Sequence, residues 1–309
     1  MAFVSKDTRG LLKELLAIDP LVKGDPDINV VRRTYDEVFA KWTAPAMAPT
    51  REDWIEGSGL PGKDKTLVVE PAGGKPPLAN LIFLHGGGWM LGSPLAYAPL
   101  CRWISAYTGF RVLAPDYPLA PERPAPAATE ALTSFMKWVA QTYPEFILLA
   151  GDSAGGQLAA VLSNRPPEGI TVKAQALLYP VLDLRLDAEY KSRKKNGSGK
   201  YFLSNDAIVG ASAAYCANDI GLAGSPEHTP MLETDFSKTP PTYLLAPELD
   251  PLFDETHAYA DLLKQNGVTI QINVARGSIH GCVSFSSRLS EGMRTLKSSC
   301  DFLLKHTRR

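Results

Sequence analysis

Ser153 sits in the stretch ILLAGDSAGGQLAA, residues 147–160, where an apolar run meets Gly151 and where Gly155 and Gly156 follow the serine. Glycine and serine are ordinary turn formers, so a turn alone would account for them. The G-x-S-x-G spacing between a strand-like and a helix-like run is also that of a nucleophile elbow, which presents a serine hydroxyl on a strained corner. A second glycine cluster, His85-Gly86-Gly87-Gly88-Trp89, follows another apolar run. Three consecutive glycines cost backbone entropy, so they call for a reason. The phosphate-loop spacings G-x-x-x-x-G-K-[ST] and G-x-G-x-x-G are both missing from it. Bare amides at Gly87 and Gly88, with that of Ala154 at the start of the helix after the serine, can instead bind the charge that acyl transfer places on a carbonyl oxygen.

A serine hydroxyl is a weak nucleophile until a base accepts its proton. Four of the five histidines lie downstream of Ser153. His228 precedes the apolar run 242–248, His257 falls inside a helical pattern, and His306 lies in the charged tail LLKHTRR. His280 follows the run 269–275 through RGSIHG, at the carboxyl end of an expected strand, where α/β sheets build their sites. His280 is therefore the candidate base. The acid that orients it is sought after the run 242–248, where Glu248, Asp250, Asp254 and Glu255 lie. Asp254 and Glu255 suit the first turn of a following helix, whose dipole favours carboxylates. Glu248 and Asp250 both remain. Asp152 is read as structural support of the glycine loop, and His85 as an anchor of the same loop. This chemistry needs no metal, nucleotide or organic cofactor.

The elements that must position these groups are visible as apolar runs of strand length at 66–71, 80–86, 110–116, 146–152, 173–180, 242–248 and 269–275. Helical patterns separate several of them, at 126–143 and at 254–267, the latter closed by Asn266-Gly267. Near-continuous apolar strands alternating with helices predict a mostly parallel sheet covered on both faces, in an α/β fold. Two segments break the alternation: 1–50, helical and polar, and 183–218, a long excursion between two strands. Both are read as a helical cap over one end of the sheet. The basic run Lys191, Arg193, Lys194, Lys195 and Lys200, interrupted by NGSG, reads as a solvated, mobile loop of that cap.

Composition limits the alternatives. The chain has 309 residues, 32 basic against 33 acidic, so no overall field favours nucleic acid or an anionic membrane. Lys6, Asp7 and Arg9 interrupt the N-terminal region before any long apolar run, which argues against a secretory signal. No stretch approaches the roughly 20 apolar residues of a membrane helix. Cys101, Cys216, Cys282 and Cys300 are far apart without C-x-x-C spacing and read as reduced thiols, so a cytoplasmic location is expected.

Four motifs, HGGGW (85–89), DYPLAPE (116–122), GDSAGG (151–156) and LDPLFDE (249–255), followed by HG at 280–281, resemble the hormone-sensitive-lipase-like carboxylesterases of the α/β-hydrolase fold. The likeness runs from about residue 66 to 304. It implies a domain at 51–309 with 183–218 inserted as the second part of a cap begun by 1–50. It also implies Asp250 as the triad acid, within D-P-L-x-D-E. Three residues depart from the family pattern: Pro118 for the usual Arg, Gln157 for Asn, and Cys282 for an aromatic residue. The resemblance implies hydrolysis of small acyl esters of about C4 to C6 and makes a homodimer an expectation. Trp89, Phe202, Leu203, Ile208 and Cys282 are the expected substrate-binding residues. An amidase, lactonase or deacetylase would use the same triad, and a non-catalytic receptor on this fold would have lost its base.

Overall fold

The computed structural model describes residues 3–18, 27–60, 65–74 and 76–307. Two N-terminal helices, α1 (Lys6–Leu15) and α2 (Ile28–Trp42), precede β1 (Thr50–Glu56) and β2 (Lys65–Pro71). Alternation follows as β3 (Asn80–Leu84), α3 (Pro94–Thr108), β4 (Arg111–Pro115), α4 (Ala127–Thr142), β5 (Ile147–Asp152), α5 (Ala154–Asn164) and β6 (Val172–Leu178). The excursion carries α6 (Lys191–Asn196) and α7 (Asn205–Tyr215), with α8 (Ile220–Ala223) just beyond it. The chain then completes β7 (Thr242–Pro247), α9 (Phe253–Gln265), β8 (Ile270–Ala275) and α10 (Ser290–Thr307). Eight strands form one sheet in the order β1-β2-β4-β3-β5-β6-β7-β8. The β1–β2 and β2–β4 pairs are antiparallel and every later pair is parallel.

The strand pleat divides the core in two. Leu81, Phe83, Leu148 and Ala150 point to the face covered by α3 and α10, and Ile82, Leu84 and Leu149 to the face covered by α4, α5 and α9. Every residue of β3, β4, β5 and β7 is buried, as expected for strands covered on both faces. Helix ends follow local rules. Ser93 caps α3 by accepting from the Ala96 amide, and α9 stops at Asn266 before Gly267.

The sequence predicts seven strands, and β1 is the one it misses. TREDWIE is mostly exposed along its length and lacks the apolar alternation that marks a half-buried strand. Its charged residues suit an edge, and its ladder to β2 supplies the backbone bonds. The basic run also differs from expectation. It opens with α6, in which Ser192, Arg193 and Asn196 are buried while Lys191, Lys194 and Lys195 face solvent. The segment is a docked helix because its uncharged and guanidinium groups find polar partners beneath it.

The N-terminal helices are fastened to the same body. Leu11 and Leu15 of α1 and Tyr35, Phe39 and Trp42 of α2 join the α3/α10 side of the core. Asp7 accepts from the Ser290 amide at 2.9 Å and its hydroxyl at 2.8 Å. Burial works to raise its pKa, but hydrogen bonds from the Ser5 hydroxyl, then Ser290 and the Thr8 amide, pull it down to about 2. Residues 1, 2, 19–26, 61–64, 75, 308 and 309 of the expected cap and catalytic segments lie outside the described residues. No helix among the described residues is long and apolar enough to cross a membrane.

Candidate active site

Ser153 stands between β5 and α5 at φ 53°, ψ −118°, a backbone conformation rare for any side chain but glycine. Such strain persists only where its surroundings enforce it. The Ser153 amide donates to the Leu178 carbonyl at 2.9 Å, and its carbonyl accepts from Gln157 and Val181. Close approach explains the flanking glycine: a Cβ on Gly155 would lie 2.0 Å from the Leu84 carbonyl oxygen. The elbow can therefore sit against β3, the strand that leads into the other glycine loop.

In that loop Gly87, Gly88 and Trp89 all have positive φ, at 120°, 62° and 58°. Met90 and Leu91 close the turn by donating to the Gly87 carbonyl. The Gly86 amide donates to Asp152 Oδ1 at 2.7 Å, so the residue before the serine ties the two loops together. Asp152 Oδ2 accepts from Tyr97, whose oxygen lies 3.0 Å from that of Tyr35 on α2. Burial pushes the pKa of Asp152 up to about 6. His85 stacks on Tyr117, and burial lowers its pKa to about 4. Neutral at ordinary pH, it can donate from Nδ1 to the Gly86 carbonyl, 2.9 Å away.

His280 comes from the turn after β8. Its Nε2 lies 2.9 Å from Ser153 Oγ, and its Nδ1 lies 2.7 Å from Asp250 Oδ2. The second carboxylate oxygen of Asp250, which is fully buried, accepts from the Leu252 amide at 2.9 Å. Tyr179 meets the imidazole edge-on at 4.8 Å between ring centres. Glu248, the rival acid, is turned away and accepts from the Gly277 amide at 2.8 Å. Asp254 and Glu255 hold α6 instead, through Ser192 and Arg193. The geometry thus separates four carboxylates that the sequence leaves close together, and only Asp250 reaches the imidazole.

These groups open on a cavity of about 490 Å³. Gly87, Gly88, Trp89, Phe202, Leu203 and Ile208 line it. Ala154 does not line it: its methyl is buried in the core, while its amide, at the first position of α5, has no acceptor within the helix. Trp89 is fixed by a 2.9 Å bond from its indole nitrogen to Gln157 Oε1 and by stacking on Tyr215. An α/β fold, a serine, histidine and aspartate in hydrogen-bonded series, and glycine amides beside the serine make an arrangement suited to acyl transfer.

Comparison with known proteins agrees with this geometry. The alpha/beta hydrolase fold family matches residues 81–284. The ethyl acetate hydrolase of Pseudomonas putida is 30% identical over 295 residues, covering 91% of each chain. The chain belongs to the hormone-sensitive-lipase-like carboxylesterase family of the α/β-hydrolase fold. Lipase 2 of a Moraxella strain is 33% identical over 68% of this chain, and the match spans only 55% of that longer relative. Among solved structures, the hyperthermophilic esterase of the archaeon Pyrobaculum calidifontis superposes with a TM-score of 0.84 at 30% identity, covering 99% of both chains.

Against this family background, one expected pocket residue is corrected. Cys282 does not line the cavity; its side chain is fully buried. Gly281, at φ 78°, reaches the cavity wall and turns the chain so that the next residue enters the core beneath α10. Burial there pushes the thiol pKa up, so the group is a neutral packing residue. The sequence assigns 1–50 to the cap but singles out no cavity residue there. Ile28, Val31, Tyr35 and Phe39 line the cavity from α2. Their spacing of three, four and four residues is the signature of one helical face and was open to inspection.

Proposed function

We propose that the protein is a serine carboxylesterase acting on small acyl esters. The observation that carries this reading is the Ser153–His280–Asp250 series, its Ser153 end open to an apolar cavity beside Gly87 and Gly88. His280 takes the Ser153 proton as Oγ attacks the ester carbonyl, and Asp250 holds the imidazole with its Nε2 free to accept. The amides of Gly87, Gly88 and Ala154 receive the oxyanion. His280 then protonates the departing alcohol, and water, deprotonated by the same imidazole, releases the acid from the acyl-serine.

Residues 1–50 and 183–218 act together as a cap, since α2 from the first segment and α7 from the second face the same cavity. Phe202, Leu203 and Ile208 with Trp89 contact the substrate. The walls that α2 and α7 supply are apolar, which supports uncharged esters over anionic ones. Four buried free cysteines support a cytoplasmic location. Among the described residues β8 ends the sheet, and its outer edge is the surface we propose for a homodimer.

The test compares aryl esters, anilides and lactones on the wild type and on Ser153→Ala. Ester hydrolysis that vanishes in the folded variant is expected. Turnover of anilides or lactones in preference to esters would move the assignment to an amidase or lactonase, and activity retained by Ser153→Ala would overturn the mechanism.

A further inference from the structure

Helix α6 directs its three buried side chains mainly at residues 248–255, the loop that carries Asp250 and the first turn of α9. Ser192 Oγ donates to the Pro251 carbonyl at 2.6 Å, its amide donates to Asp254 Oδ2 at 2.8 Å, and the Asp254 amide returns a bond to Oγ at 3.1 Å. Asn196 Nδ2 lies 3.2 Å from the Asp250 carbonyl and 3.3 Å from that of Glu248. Arg193 places Nε and Nη2 at 2.9 and 2.6 Å from Glu255 Oε2, and Nη2 also reaches the Asp183 carbonyl at 2.9 Å. The other oxygen of Glu255 accepts from the Leu182 amide at 2.9 Å. Positions 192, 193 and 196 share one face of a helical turn, and the lysines between them remain in solvent.

From these contacts we propose that Ser192, Arg193 and Asn196 are positioning residues for the triad acid, holding the 248–255 loop so that Asp250 Oδ2 meets His280 Nδ1. The inference rests on Asp250 being that acid. On its opposite side the loop is held by two backbone bonds, Glu248 to Ala275 and Leu249 to Ser278. The Phe253 amide also donates to the Asp250 carbonyl, at 3.3 Å, and among the described residues α6 supplies the other bond to that carbonyl and the bond to the Pro251 carbonyl. A catalytic hydrogen bond tolerates little misplacement, because reacting groups must already stand in the productive geometry. A buried ion pair such as Arg193–Glu255 is weak evidence of net stability, and its better-attested use is to fix one arrangement. The same excursion continues into Phe202, Leu203 and Ile208, so one piece of chain carries a cavity wall and steadies the acid.

Because these residues do not line the cavity, their loss should lower kcat and leave KM almost unchanged. The experiment measures kcat per active site, titrated with a fluorophosphonate so that misfolded protein is not counted, on short aryl esters. Ser192→Ala and Asn196→Ala are each expected to lose roughly tenfold or more in kcat with KM within about twofold, and Ser192→Thr to restore the rate. In an Asp250→Asn background, Ser192→Ala should have no further effect, since its influence passes through that carboxylate. An equal fractional loss in that background, or kcat within about twofold of wild type in both single variants, would overturn the inference. The parent comparison separates the two levels. An intact rate in Asp250→Asn itself overturns the triad reading and this inference with it, whereas a collapsed rate there beside an unaffected Ser192→Ala overturns the inference alone.

Discussion

Ser153, Gly87 and His280 are carried by backbone that leaves the carboxyl ends of β5, β3 and β8, while two distant segments face them: Tyr35 and Phe39 from α2, Phe202 from the turn before α7, and Ile208 from α7. The first wall is fixed by what the main chain can do. Positive φ at Gly87, Gly88, Trp89 and Ser153, and a glycine where a Cβ would strike Leu84, leave each group few alternatives. The helical part of the second wall is fixed by packing, because α2 and α7 reach the cavity through the partners they bury, and only Phe202, at φ 80°, shares the backbone constraint of the first. Chemistry thus rests on local geometry and selectivity on tertiary contact, so substitutions on the two walls should fail in different ways.

The largest effect should come from the sheet wall. Ser153→Ala removes the proposed nucleophile, and kcat should fall by roughly 10⁶-fold, as when a catalytic serine is removed elsewhere. The fold should survive, since among the described residues the hydroxyl's one bond is to His280. Rates from a purified variant with an unshifted thermal transition check both halves. Comparable loss from Phe202→Ala would erase the distinction between the walls.

Next in size is the acid. Asp250→Asn should cost roughly 10⁴-fold in kcat by favouring the wrong imidazole tautomer. Glu248→Gln removes a charge from a bond to the Gly277 amide and should cost far less. The reverse ranking in side-by-side kinetics would replace Asp250 by Glu248 in the triad.

The same division explains what the sequence discloses. Glycine spacing carries the elbow and the oxyanion loop because no other residue tolerates those backbone positions. Near-continuous apolar runs carry the central strands β3, β4, β5 and β7, since burial on both faces leaves little room for polar residues, and the more polar β2, β6 and β8 are legible from their length and apolar content. β1 was hidden because a charged edge strand owes its existence to β2. The α6 contacts were hidden because they join residues about 60 positions apart in the chain, and nothing local distinguishes the lysines that stay in solvent from the arginine that does not. Cys282 was misplaced by one turn residue, a distance at which sequence proximity to His280 says nothing of direction.

A smaller effect should appear in stability and on the sheet wall alone. Burial raises the Asp152 pKa from 3.8 to about 6, so the folded state holds this proton more tightly than the unfolded chain. The associated stability is fully present below pH 3.8 and is lost as pH rises through about 6. Above that the buried carboxylate costs of order 2–3 kcal/mol. Asp152→Asn keeps an oxygen for the Gly86 amide and is uncharged, so it should raise Tm at pH 8 and show little gain at pH 4. Thermal melts across that range decide it. A gain that grew on acidification would mean that Asp152 is stabilised as the anion.

The smallest effect belongs to the helical wall and concerns choice of substrate. Phe202 lines the cavity, with its ring set edge-on to Phe285 at 5.9 Å between centres. Truncating it to alanine opens space on the apolar side without touching Ser153, His280 or Asp250. Each methylene that enters such space adds about 0.8 kcal/mol, a few-fold in kcat/KM per carbon. The wild type should therefore prefer acyl chains of about C4 to C6, with kcat/KM declining beyond them as the cavity fills. Phe202→Ala should move the maximum two or three carbons longer and leave kcat on the shortest ester within about threefold. A chain-length series below micelle-forming concentrations on both proteins checks this. A wild-type maximum at C12 or beyond, or activation at an oil interface, would refute the bounded cavity. An unchanged profile in the variant would shift the limit on chain length to α2, where Tyr35 and Phe39 stand opposite.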